Sequence, residues 1–225
     1  MTSWDILVVD KSGSMIDNKK NITKGFNELI SSQKNEMSDN LFTVFTFNDT
    51  VELFIEDKFK NVQFIDDTDI VLSGTTALYD AIGNAYDAII KNKVYKNITL
   101  TVITDGYENS SKFYTQEKLN DMKKTIDENY TISMIFIGTE SSCITTDNIS
   151  QHATHRVNCF NDMQMAFKIA SRSMSSQRES YNYIPEGSVN SDIKSVTPLT
   201  MKRTISDTTE NPPKIKRCKT MCKSN

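Results

Sequence analysis

The sequence predicts an α/β fold, a mainly parallel sheet between layers of helices, with one antiparallel edge strand and a disordered C-terminal tail. Three observations predict it. Short continuous apolar runs of strand length recur along residues 1–175, the mark of strands buried on both faces. Between them lie segments whose apolar residues repeat at intervals of three and four, as in amphipathic helices. The resulting order is strand, helix, strand, strand, helix, strand, helix, strand, helix, which belongs to a layered architecture.

The first strand is predicted at Ile6-Leu7-Val8-Val9. Ile22, Phe26, Leu29 and Ile30 then form one stripe of a helix. Leu41 to Phe47 and Val51 to Ile55 are rich in β-formers and are separated by Asn48-Asp49-Thr50, the pattern of a hairpin. Leu78, Ile82, Ala85 and Ile89 define a second helix, Ile98 to Ile103 another buried strand, and Leu119, Met122 and Ile126 a third helix. Ile132 to Ile137 and the short Val157-Asn158-Cys159-Phe160 read as further strands. Met163, Phe167, Ala170 and Met174 mark the last helix.

Composition bounds the function. The chain has 225 residues, 37% hydrophobic and 24% charged, which suits one globular domain plus an appendage. No run approaches the roughly 20 apolar residues of a membrane-spanning helix. The N-terminus lacks a basic segment followed by an apolar core, so no secretory signal is expected and the protein is expected in the cytoplasm. Cys143, Cys159, Cys218 and Cys222 make no disulfide framework in a chain of this length, and Cys218 and Cys222 lack the further ligands of a zinc site.

Net charge is split. Residues 1–170 carry 16 Lys and Arg against 24 Asp and Glu, a net −8, whereas residues 171–225 carry 10 against 5, a net +5. All four prolines fall in the second part, where Leu, Ile, Val and Phe number 7 of 55, too few to bury a core. An acidic domain over residues 1–175 and a basic, Pro-, Ser- and Thr-containing disordered tail over 176–225 follow. The tail cluster Lys214-Ile215-Lys216-Arg217-Cys218-Lys219 is a candidate for nuclear import or nucleic-acid contact.

In parallel α/β sheets, ligands sit beyond the carboxyl ends of the strands. Three loops there hold the informative residues: Asp10-Lys11-Ser12-Gly13-Ser14 after the first strand, Ser73-Gly74-Thr75-Thr76 before the second helix, and Thr104-Asp105-Gly106 after Ile103. All offer hard oxygen donors, which favour Mg²⁺, Mn²⁺ or Ca²⁺ over softer metals. Tyr107, Glu108 and Asn109 fall either at the rim of the site or, the preferred reading, in a solvated loop, and Asp66, Asp67 and Asp69 read as a solvated turn. Lys11 has no assigned role.

The DxSxS pattern at Asp10, Ser12 and Ser14, the GTTALYDAI segment from Gly74, and the ITDG segment ending at Gly106 closely resemble the von Willebrand factor A domain. The resemblance implies a three-layer, Rossmann-like fold and a metal-ion-dependent adhesion site. By it, Ser12, Ser14 and Thr76 hydroxyls ligate Mg²⁺ directly, with Thr76 preferred to Thr75, and Asp10 and Asp105 act through bound waters. Mn²⁺ or Ca²⁺ are the alternatives. It further implies that the cation, left short of negative charge, accepts an Asp or Glu carboxylate of a partner protein.

Enzymatic readings find less support. A serine nucleophile needs a base within reach, and the only histidines, His152 and His155, come late in the chain. Ser12 stands where an aspartyl phosphatase would carry its second carboxylate, and no phosphate-binding GxxxxGK[ST] or GxGxxG segment is present. A metal-dependent hydrolase at the same rim, or a function carried by the basic tail, are the rival expectations to a binding module.

Overall fold

Seven consecutive buried residues, Trp4–Asp10, form the central strand β1, because Ile6 and Val8 point to one face and Leu7 and Val9 to the other. In the computed structural model, which describes residues 3–36, 39–138, 150–158 and 162–182, β1 is followed by a 3-10 turn at Gly13–Asn18 and helix α1, Lys19–Glu36. Strands β2 (Leu41–Phe47) and β3 (Val51–Lys58), helix α2 (Leu78–Lys91), strand β4 (Asn97–Thr104), helix α3 (Gln116–Asn129), strands β5 (Thr131–Gly138) and β6 (His155–Asn158) and helix α4 (Met163–Asn182) complete the order.

The six strands lie in the order β3-β2-β1-β4-β5-β6. Among the described residues only β2 and β3 pair antiparallel, through the hairpin at Asn48–Thr50, so β3 is the antiparallel edge strand. The other neighbours are parallel, with Val8 beside Phe45 and Val102 in the centre. Helices α1 and α4 cover one face, where Phe26, Leu29, Phe167 and Met174 pack on Leu7, Val9, Ile103 and Ile135. Helices α2 and α3 cover the other, where Leu78, Ile82, Tyr86, Leu119 and Ile126 pack on Ile6, Val8, Leu100 and Phe136. The expected three-layer arrangement is therefore present. No helix among the described residues is long and apolar enough to cross a membrane.

The folded body reaches Asn182 instead of ending at residue 175. The reason is electrostatic. Arg178, counted in the sequence as a tail cation, is 2% exposed, and its Nη1 donates to Asp5 Oδ2 on β1 at 2.5 Å. Its Nη2 donates to Gln33 Oε1 on α1. Gln33 in turn donates to Ser171 Oγ at 2.8 Å and Ser175 Oγ at 3.1 Å. A polar seam thus runs between the sheet and the last helix. Residues 183–225, including the basic cluster, and all four cysteines lie outside the described residues.

That seam is incompletely satisfied. Arg178 Nε and the hydroxyls of Thr101 and Ser133 find no hydrogen-bond partner among the described residues, whereas the Thr99 hydroxyl faces the Asp5 carboxylate and helps hold it ionised.

Candidate functional site

At the carboxyl end of β1 the chain cannot simply continue as a strand, because Asp10 turns its carboxylate back onto its own loop. Asp10 Oδ1 accepts from the Ser12 amide at 2.7 Å, and Oδ2 accepts from Thr104 Oγ1 at the end of β4 at 2.6 Å. The carboxylate therefore joins the first and third loops while fully buried. Burial pushes its pKa up to about 6, against the opposing pull of the Thr104 and Ser12 hydrogen bonds.

The hydroxyls follow. Ser12 Oγ and Ser14 Oγ are 3.0 Å apart, and Ser14 Oγ donates to Asp105 Oδ1 at 2.6 Å. Ser12 is buried and Ser14 exposed, so the group opens to solvent at Ser14. Burial also raises the pKa of the Asp105 carboxyl, while the Ser14 hydroxyl opposes the rise. Thr76 is buried and Thr75 exposed. A Cβ placed on Gly106 would lie 3.0 Å from Thr76 Oγ1 and 3.7 Å from Asp10 Oδ2. Thr76 and Asp10 thus face one small space, and the glycine is what leaves it open. All five predicted site residues, Asp10, Ser12, Ser14, Thr76 and Asp105, are gathered at this rim.

Backbone hydrogen bonds hold the loops together. Lys11 N donates to Phe47 O, Ser73 N to Lys11 O, and Gly13 N to Gly74 O at 3.0 Å. Gly74 has φ +79°, the left-handed conformation glycine adopts freely. Its carbonyl lies close to Gly13: a Cβ on Gly13 would sit 3.3 Å from that oxygen, a tight contact. Lys11 also has a role: its Nζ pairs with Glu52 Oε2 on β3 at 2.7 Å, tying the first loop to the edge strand.

Several residues position the site through contacts that the sequence does not record. Asn109, expected in a solvated loop, clasps Thr76 from both sides. Its Oδ1 accepts from Thr76 N at 2.9 Å and its amide donates to Thr76 O at 3.0 Å. Glu108, expected in the same loop, accepts from the amides of Tyr79, Ser110 and Ser111 and from Ser111 Oγ. It caps the first turn of α2, where donors are otherwise unpaired and a negative charge is favoured. Asp80 reciprocates from α2, accepting from Lys112, Phe113 and Tyr114 amides at 2.9 Å each. Asn48 of the hairpin donates to Ser73 O, and its carbonyl accepts from Ala77 N. The one available sequence signal was a run of carboxylate, amide and hydroxyl residues beside a helix start.

His152 is not a plain surface residue. Tyr86 Oη lies 3.2 Å from its Nδ1, and its Nε2 lies 2.6 Å from Asn120 Oδ1. Burial, with Lys123 nearby, lowers its pKa below the usual value. Asp66, Asp67 and Asp69 are exposed, as expected of a solvated turn.

The donor set at the rim consists of hydroxyl and carboxylate oxygens, with no thiolate or imidazole among the five residues, and it fits a hard divalent cation. No cluster of three or more His, Cys, Asp and Glu occurs among the described residues, so any ion here would depend on serine and threonine hydroxyls.

The layered sheet with its one antiparallel edge strand is a fold shared with solved von Willebrand factor type A structures. Residues 6–108, which include all five site residues, match the sequence model for the von Willebrand factor type A domain. Comparison with curated protein sequences finds no match. Among solved structures, the chain is similar to a von Willebrand factor type A protein from Catenulispora acidiphila, with TM-score 0.59 and 12% identity over 78% of this chain and 42% of that one. It is also similar to the PilB minor pilin from Streptococcus sanguinis, with TM-score 0.59 and 10% identity over 82% and 64%. The pilus adhesin SpaC from Lactobacillus rhamnosus GG matches with TM-score 0.56 and 11% identity over 77% and 30%. The chain therefore spans less than two-thirds of each of these proteins, and identities this low speak for the fold alone.

Proposed function

We propose that this chain is a metal-dependent protein–protein interaction module, in which Mg²⁺ at the rim captures an Asp or Glu side chain of a partner. Ser12, Ser14 and Thr76 would hold the ion through their hydroxyls, and Asp10 and Asp105 through waters, with Mn²⁺ or Ca²⁺ as substitutes. The bound ion would supply a Lewis-acidic position for an incoming carboxylate. The chain's own residues do the rest. Asp10 and Thr104 lock the first loop to the third, Asn109 fixes Thr76, and the Glu108–Asp80 exchange stiffens the loop that carries Asp105.

One observation carries this reading. Three separate stretches of chain bring five hard-oxygen residues to one opening, with glycine at the point where a side chain would block it. Three neutral hydroxyls in contact, with the two carboxylates held off by waters, would leave a divalent cation incompletely neutralised, which favours an external anion. The raised pKa of Asp10 agrees, since a carboxylate that burial disfavours as an anion gains most from a nearby cation. Binding without turnover is the preferred role. The two histidines belong to the β6 segment, three strands from β1, and one of them is engaged with Tyr86 and Asn120.

The test is affinity capture of partners in Mg²⁺ and in excess chelator, with wild type and Thr76→Ala. Capture is expected in Mg²⁺ with wild type only. Capture that persists in chelator contradicts the mechanism. Mg²⁺-dependent hydrolysis of phosphate esters that is lost in Asp10→Asn would move the assignment to a hydrolase. The location expected from the sequence, cytoplasmic or nuclear through Lys214 to Lys219, is tested by imaging a fluorescent fusion with and without those residues.

A further inference from the structure

We propose that the partner segment taken at the rim presents a lone Asp or Glu flanked by apolar residues, which settle on Ile16, Val71 and Tyr107. The inference rests on the carboxylate-capturing site proposed above and specifies what surrounds the captured side chain. Each rim loop carries one exposed apolar residue close by. Ile16 is 59% exposed and stands two positions after Ser14, in the 3-10 turn. Tyr107 is 46% exposed and stands two positions after Asp105. Val71 is 67% exposed and stands two positions before Ser73, whose amide donates to Lys11 O beside Ser12. Two residues of chain span at most about 7 Å. Ile16 and Tyr107 therefore border the Ser14–Asp105 hydrogen bond from its two ends, and Val71 borders the first loop. Exposed apolar side chains scattered singly are ordinary on a protein surface. Here three of them are gathered around one opening.

Charge argues for a lone acid. Asp17 adjoins Ile16 and is exposed, and Asp49 Oδ1 is the atom nearest to where a Cβ on Gly74 would stand. Asp105 stands at the opening itself. Nearby cations do not offset them there: Lys11 is engaged with Glu52, and Lys19 and Lys20 fall on α1, beyond the turn. Residues 1–170 are net acidic as a whole. An acidic run on the partner would bring further carboxylates against these, within the Debye length of about 8 Å where repulsion persists. One carboxylate meets the ion, and its neighbours in the segment meet apolar surface that gains by leaving water. The hydrogen bonds from Gly13 to Gly74 and from Asn109 to Thr76 hold this surface in place beforehand, which lowers the ordering cost of binding.

Selection from a phage-displayed random-peptide library in Mg²⁺, with elution by chelator, tests this. Eluted peptides are expected to share one Asp or Glu with an apolar residue within two positions of it. Acidic runs, or acids among polar neighbours, overturn the inference and leave the metal site standing. So does the absence of any enriched peptide from a protein that binds Mg²⁺ by calorimetry. A protein that binds no Mg²⁺ instead fails the underlying reading of the site. A selected peptide, synthesised and titrated, should bind Ile16→Ser and Val71→Ser each about fivefold more weakly than wild type. Val94→Ser is the reference: Val94 is 75% exposed but precedes β4, at the end of the sheet opposite Thr104. It should bind the peptide as wild type does, and all three variants should keep wild-type Mg²⁺ affinity and urea midpoint. Equal peptide affinity in Ile16→Ser, Val71→Ser and wild type overturns the inference.

Discussion

Replacing Arg178 by methionine tests whether the body of this protein extends beyond the last residue that the apolar pattern marks. Methionine keeps the aliphatic stem that packs in the seam and removes the guanidinium. The partner left behind, Asp5, is fully buried, and deleting one member of a buried ion pair costs about 3–5 kcal/mol because the other charge is stranded. The pH dependence follows from Asp5. Burial already pushes its pKa up to about 6, with Arg178 opposing. A raised folded-state pKa means that the ionised carboxylate is disfavoured in the fold. Its contribution to stability therefore falls as pH rises from the unfolded value near 3.8 through about 6. Without Arg178 the folded-state pKa climbs further, so the variant takes up a proton and recovers stability as pH falls. Urea denaturation is expected to show a loss of about 3–5 kcal/mol at pH 7.5, shrinking by pH 5. Asp5→Leu combined with Arg178→Met should return close to wild type, since an apolar pair can replace a buried ionic one. A cost under about 1 kcal/mol at pH 7.5 in Arg178→Met refutes the reasoning.

Other perturbations reach different parts of the account. Gly106→Ala puts a methyl 3.0 Å from the Thr76 hydroxyl. It should weaken Mg²⁺ binding roughly tenfold, about 1.4 kcal/mol by titration calorimetry, while changing the urea midpoint little. Asp80→Ala strips the acceptor from three amides. It should cost about 2–4 kcal/mol and speed hydrogen exchange at Lys112, Phe113 and Tyr114. His152 has a folded-state pKa below its unfolded value, so its contribution holds above about pH 6.5 and is lost as pH falls through the folded pKa. Wild type and His152→Gln should therefore differ in the slope of stability against pH only below that point, and an NMR titration should place the His152 midpoint under 6.5.

Much of this was legible from local pattern. Ile6–Val9 is apolar without alternation because both faces of β1 are covered by helices, whereas Ile98–Ile103 alternates apolar residues with Thr99 and Thr101, which are buried all the same. Two of the three loops could be found because a parallel sheet exposes the ends of its strands at one rim, where Asp10 and Asp105 sit, and the third because Thr76 lies just ahead of the apolar stripe of α2. The supports of the rim were not legible, because each depends on contacts across long stretches of chain. Glu108 caps a helix that begins thirty residues earlier, Asp80 anchors a loop that comes thirty residues later, and Asn109 grips Thr76 through its backbone. No local period records such pairings. The reach of the last helix is hidden from local pattern for the same reason. After Met174 the last helix carries Ser175, Ser176, Gln177 and Arg178, a polar run that reads as the start of a tail. It is instead inside the fold, because Asp5, 173 positions away, requires a cation there.

The most direct measurement is calorimetric titration of the metal-free protein with Mg²⁺, repeated with Mn²⁺, for wild type, Ser12→Ala and Thr76→Ala. One ion per chain is predicted for wild type. Binding should be lost in both variants, with thermal unfolding midpoints close to wild type. Wild type that takes up neither ion, or variants that bind as wild type does, would contradict a cation site built from these hydroxyls.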